Sequence, residues 1–181
     1  ESFQDYKKTA EGGDAEAQFR LGRMYERGEG VKQSWIEPVK WFRLAAEQGH
    51  AEAQASLGNA HLEEFGVDRS YELAVKWFRL AAEGGDAEAQ YVLAALYRKD
   101  DDLHYYYSDA VNVKQDYSEA LKWYKLSAQQ GNYAACVSLA HMYEGGGGGV
   151  KQDYSEAIKW YKETAKAYKI TYKDDYWRAS F

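Results

Sequence analysis

The chain has 181 residues, 45% apolar and 29% charged, which fits one globular domain or one array of repeats and excludes a disordered polar chain. Lys and Arg number 23 against 29 Asp and Glu, and the net charge of −6 excludes the basic footprint of a non-specific nucleic-acid binder. A single Pro, a single Cys (Cys136) and the lack of any apolar run near ~20 residues exclude proline-rich, disulfide-tied, cysteine-zinc and membrane-inserted classes.

The chain opens at Glu1 with no Met and no charged-then-apolar leader, as expected of a mature or trimmed form. Phe3 to Gly13 reads as the tail of a helix, an N-terminal cap within residues 1–13. From Asp14 the pattern turns periodic. Ala-Glu-Ala-Gln stands at 15–18, 51–54 and 87–90, a step of 36. Lys-Trp followed by an aromatic stands at Lys40, Lys76, Lys122 and Lys159. Fixed self-similarity at such a period predicts a helical solenoid. The repeats run 14–49, 50–85, 86–131 and 132–167, the third with a ten-residue insertion near 100–109. Residues 168–181 leave the pattern and predict a C-terminal cap or arm on a single domain of 1–181.

Each repeat predicts two helices. The first opens at Asp14, His50, Asp86 or Asn132, each directly after a Gly, and its apolar positions recur at helical spacing. Gly22, Gly58, Ala94 and Ala140 place a small residue where helices must approach closely. The second opens at Ser34, Ser70, Asp116 or Asp153, and Glu37, Glu119 and Glu156 complete the pattern of a capping box. In the first repeat Pro38 would remove an early helix hydrogen bond, so that helix is expected to begin near Pro38 with Trp35 and Ile36 in the loop. Trp41, Trp77, Trp123 and Trp160, with Tyr25, Tyr97 and Tyr143, recur in phase and are expected in the core.

Ala15 to Tyr25 with Gly28-Glu29-Gly30-Val31, and Val150-Lys151-Gln152-Asp153-Tyr154-Ser155-Glu156-Ala157-Ile158-Lys159-Trp160-Tyr161, resemble the two halves of a Sel-one-like repeat. The resemblance covers about Phe3 to Ala165. It implies a right-handed α/α superhelix related to tetratricopeptide repeats and a role as an adaptor that holds another protein; many bacterial members are exported, which leans toward an exported or periplasmic setting without fixing the compartment. Some members of the family are immunity proteins that neutralise secreted toxins. The chain departs from the pattern at Phe65-Gly66-Val67-Asp68-Arg69, in the third repeat's insertion, and at five consecutive glycines, 145–149.

No catalytic or metal constellation emerges. His50, His61, His104 and His141 are not at metal-ligand spacing, and Cys136 and His141 fall on different helix faces. Asp100, Asp101, Asp102 and Asp109 lack the ligand pattern of a calcium loop. The five glycines lack a following Lys-Ser or Lys-Thr, so they predict a stretched turn rather than a phosphate loop. No cofactor or metal is expected.

The expected function is therefore non-enzymatic: a monomer binding another protein or peptide. In related superhelices the first helices line the concave groove, which by position would show Phe19, Arg20, Arg23, Asn59, Tyr91 and His141. These positions vary between repeats while their neighbours hold constant, as on a divergent working face or on an unused surface free to drift. Tyr105, Tyr106 and Tyr107 do not recur, and read either as a Tyr-rich contact loop or as a loop folded back on its own repeat. An immunity or inhibitor protein is the narrower alternative. A cell-wall enzyme or an engineered binder are further ones, the last because 113–125 and 150–162 differ only at Leu121 and Ile158.

Overall fold

The computed structural model describes residues 2–99 and 114–178, with side chains as far as Lys166. The insertion at 100–109 and its three tyrosines lie outside the described residues. Among those described the fold is all-helical: α1 (Phe3–Glu11), α2 (Ala15–Arg27), α3 (Glu37–Glu47), α4 (Ala51–Glu63), α5 (Tyr71–Glu83), α6 (Ala87–Arg98), α7 (Tyr117–Gln129), α8 (Tyr133–Gly145) and α9 (Tyr154–Arg178). It is an α-solenoid of helices packed in sequence. Residues 168–178 continue α9.

Side-chain caps start the first helices where the sequence puts them. Asp14 and Asp86 each accept the N–H three residues on at 2.7 Å, Asn132 does so at 3.0 Å, and the His50 Nδ1 accepts from Ala53 at 3.3 Å. Ser70, Asp116 and Asp153 cap the second helices of their repeats. The helix of the first repeat starts at Glu37 with Pro38 in its first turn, and Trp35 and Ile36 precede it.

The expected capping boxes are corrected. The backbone N–H of Ser34, Ser70, Asp116 and Asp153 donates to the carbonyl of Tyr25, His61, Tyr97 and Tyr143, at 2.8–3.0 Å. That bond closes each helix pair and leaves no donor for the glutamates. Glu37, Glu119 and Glu156 instead lie beside Lys40, Lys122 and Lys159, one turn on. A second closure comes from the Val-Lys-Gln turns. Gln33, Gln115 and Gln152 each donate an amide N–H at 2.9 Å to a carbonyl near the end of the preceding first helix, Glu26, Arg98 and Glu144.

Among the described residues the chain divides within α6 into two compact units, one ending at Ala89 and one beginning at Gln90. In the first, each helix from α1 to α5 packs on the next. Ala10, Ala17 and Leu21 form one cluster, with Phe3, Tyr6, Tyr25 and Trp41 against it. Val39, Phe42, Ala45, Ala53 and Leu57 form another, with Trp77 against it. Gln18 and Gln54 are buried and donate to Ala10 and Ala46 at 3.1 and 3.0 Å, tying each first helix to the end of the helix before it. In the second unit Ala94, Ala120, Tyr124, Ala135 and Leu139 share a core flanked by Trp123 and Trp160. Cys136 occupies the glutamine's place in the fourth repeat and is buried.

The repeated tryptophans, with Tyr25, Tyr97 and Tyr143, are half-buried, which corrects their placement in the core. In the first three repeats the residue after the Trp takes that place: Phe42, Phe78 and Tyr124 are 4%, 1% and 0% exposed, whereas Tyr161 of the fourth is 37% exposed. One residue is 100° of helix, enough to swing the Trp to the flank. A Cβ on Gly22 or Gly58 would stand 2.5 or 2.9 Å from the Phe42 or Phe78 ring, so the small position serves that close approach. The five-glycine turn is closed rather than stretched. Gly146 to Gly149 all have positive φ, Gly147 and Val150 exchange two hydrogen bonds of 2.9 Å, and Gly148 lies under the Tyr117 ring.

Candidate functional site

The first unit gathers Phe19, Arg20, Arg23 and Asn59 along α2 and α4, the first helices of the first two repeats. Capping sets the position of Phe19. His50 is held by the Ala53 N–H on Nδ1, so its Nε2 carries the proton and donates to Glu16 at 3.0 Å. Phe19 then stacks on the imidazole, with centroids 4.7 Å apart. Arg20 pairs with Glu16 and lies 6.0 Å from the Tyr6 ring. The hydrogen bonds from His50 and Arg20 hold the Glu16 carboxyl below the usual carboxylate range.

Arg23 lies between two clefts. One, toward α1, is rimmed by Tyr6, Phe19, Arg20 and Arg27 with Glu29 and Glu52. The other, of about 290 Å³, has Val39, Phe42 and Ala60 at its base. Asn59, Glu63, Trp35 and Phe65 also line it. Trp35 and Phe65 stack at 5.2 Å and 23° and stay about half exposed. Sequence reasoning missed this aromatic pair. Its signals were two departures in adjacent repeats: Pro38 frees Trp35 from the helix, and Phe65 stands where the first repeat has Glu29.

The other candidates belong to the second unit and engage different rings. Tyr91, half-buried, tilts against Tyr124 at 5.9 Å. His141 is exposed, with its ring edge-on to Tyr161 at 6.0 Å. The Tyr161 hydroxyl donates to Glu144 at 2.8 Å, which pushes its pKa up. Tyr105, Tyr106 and Tyr107 fall outside the described residues. Ala55, Val92, Ala95 and Ser138 occupy groove positions by repeat register but are buried, so the solvent face is narrower than the register implies.

Little here supports chemistry. Burial and the Glu163 charge push the Cys136 thiol up, away from the nucleophilic thiolate. Among the described residues no three His, Cys, Asp or Glu side chains are grouped to hold a metal. None of the described helices is long and apolar enough to cross a membrane.

Helix pairs whose recurring residues face inward, and whose variable residues face clefts, define a repeat scaffold. The Sel1 repeat model matches residues 15–50, 51–86, 87–132 and 134–168, and the chain belongs to that family. It is 34% identical to a protective antigen of uropathogenic Escherichia coli with an SLR fold, at a TM-score of 0.78 over 92% of this chain and 33% of that one. It is 38% identical to a Sel1 repeat protein from Oxalobacter formigenes, at a TM-score of 0.75 over 93% of this chain and 63% of that one. The chain thus spans a third and less than two thirds of the lengths of these two proteins. No curated protein matches it.

Proposed function

We propose that this chain is a non-enzymatic scaffold that binds a partner protein over the α2–α4 face, with Phe19, Arg20, Arg23 and Asn59 in contact. One observation carries the reading. On these two helices the recurring residues Ala17, Gln18, Leu21 and Gly22, and their counterparts Ala53, Gln54, Leu57 and Gly58, are buried, whereas Arg20, Arg23, Ser56 and Asn59 reach solvent. Repeat stability rests on one set of positions, which leaves the other free to diverge for recognition. Tyr91 and His141 of the second unit, and Tyr105, Tyr106 and Tyr107 of the insertion, are proposed as separate contact residues.

The test is quantitative capture from the native host with the parent and with Arg23→Glu/Asn59→Arg as baits. The expected result is a partner held by the parent and lost from the variant, with unchanged thermal melts. Equal capture by both baits overturns the proposed face. A narrower form of the reading is an inhibitor, as immunity proteins are, and the net charge of −6 suits a basic partner enzyme. It requires the captured partner's own activity to fall on addition of this chain.

A further inference from the structure

The cleft beside Trp35 and Phe65 is a built feature of this pair of repeats. Gly66 has φ +69° and its Cα sits against the Trp35 carbonyl, where any Cβ would collide. The loop before α3 and the turn after α4 therefore approach closely backbone to backbone, beside the aromatic stack. Three large apolar side chains meet solvent here: Trp35 at 47%, Phe65 at 48% and Ile36 at 62% exposed. The other repeats have Glu72, Ser118 and Ser155 at the place of Ile36. Nothing in the packing of the repeats calls for an exposed Ile-Trp-Phe group, and such groups mark contact sites.

The charges of the cleft are unbalanced. Its cation, Arg23, is already paired to Glu26 at 2.7 Å. The carboxylate of Glu63, on the opposite wall, has no partner among the described residues, and neither has the side-chain amide of Asn59. The site is thus an aromatic slot with a spare carboxylate and a spare amide. A volume of about 290 Å³ suits one long side chain better than a cofactor.

We infer that this slot takes an arginine side chain from an otherwise apolar segment of the partner protein, an inference that rests on the scaffold reading above. A guanidinium is flat enough to lie on the exposed indole face and forked enough to meet Glu63, and its aliphatic stem suits the base formed by Val39, Phe42 and Ala60. An acidic segment would meet Glu63 unfavourably, and the net charge of −6 adds to that bias.

The probe is the blocked pentapeptide Ala-Leu-Arg-Leu-Ala, titrated into 15N-labelled chain beside counterparts with Gln or Glu at the centre. The expected result is a shift of the Trp35 indole N–H and the Asn59 side-chain amide by the arginine peptide. Affinity should be about fivefold weaker for the glutamine peptide, and about fivefold weaker for the arginine peptide on Glu63→Gln, the size of one exposed cation–π or charge contact. Equal affinity for the arginine and glutamate peptides, shifts confined to other residues, or no effect of Glu63→Gln overturns the inference. So does self-association that Glu63→Gln abolishes in sedimentation, which would make a second copy the occupant. Glu63→Gln also serves as a bait. If Arg23→Glu/Asn59→Arg loses the partner while Glu63→Gln keeps it, the scaffold reading stands and this inference falls. If all three baits hold it equally, both fall.

Discussion

Trp77 and Phe78 are neighbours in sequence with different surroundings. Trp77 is half-buried on α5 and reaches back to the Phe42–Leu57 cluster, a staple between consecutive helix pairs. Phe78 is 1% exposed and closes on Gly58 of its own pair. Phe78→Ala should therefore cost about 4 kcal/mol, with a cavity that the neighbouring helix cannot fill. Trp77→Ala should cost less, about 2 kcal/mol, because part of the ring already meets water. Urea denaturation of both variants checks the order, and an equal or reversed loss would contradict this assignment. The recurrence of both residues was legible in the sequence. Which of the two is buried was not, because that depends on the phase of α5 against α4, and the glycine at 58 was the only local sign of it. The glutamines at 18 and 54 were likewise visible as constants, but a role that joins separate helices leaves no pattern within either.

At the scale of elements, helix starts were the most legible part of the fold because a cap is a local transaction. Asp14, His50, Asp86, Asn132, Ser70, Asp116 and Asp153 all act within three residues of themselves. The Trp35–Phe65 stack was opaque for the opposite reason, since it joins two loops of different repeats. The insertion can be argued from its two ends. Asp116 donates to the Tyr97 carbonyl at 2.9 Å, and Gln115 to Arg98 at 2.9 Å, the same closures that Ser34 and Gln33 make to Tyr25 and Glu26 across a shorter turn. Removing 100–109 restores the spacing of the first repeat between those partners. The deletion should leave stability within about 1 kcal/mol, because loop closure entropy grows only with the logarithm of length. Chemical denaturation checks it, and a much larger loss would mean that the inserted residues support the fold. A stable deletion variant that no longer captures the partner would support the insertion as a contact element.

Over the whole molecule, stability and recognition draw on different forces, and salt separates them. The ion pairs within the described helices are exposed and mostly three or four residues apart, as in Lys7–Glu11, Lys40–Glu37 and Lys159–Glu156. Such pairs contribute about 0–0.5 kcal/mol each and are weakened by salt. Salt also screens the self-repulsion of a chain at −6, so the two effects oppose. The buried glutamine bonds and the alanine-leucine cores are insensitive to screening. The midpoint of urea unfolding should therefore move little between about 0.02 and 0.3 M sodium chloride, by the equivalent of less than about 1 kcal/mol. Binding should behave differently, because the proposed contact sets the Glu63 carboxylate, on a chain of net charge −6, against a partner arginine. Screening would then slow association and lower affinity over the same range. A partner whose affinity is as indifferent to salt as the fold would point to the aromatic pair and Ile36 as the binding contribution, with Glu63 a bystander. Paired unfolding and titration series at matched salt concentrations distinguish the outcomes, with a flat midpoint and a falling affinity as the expected pair.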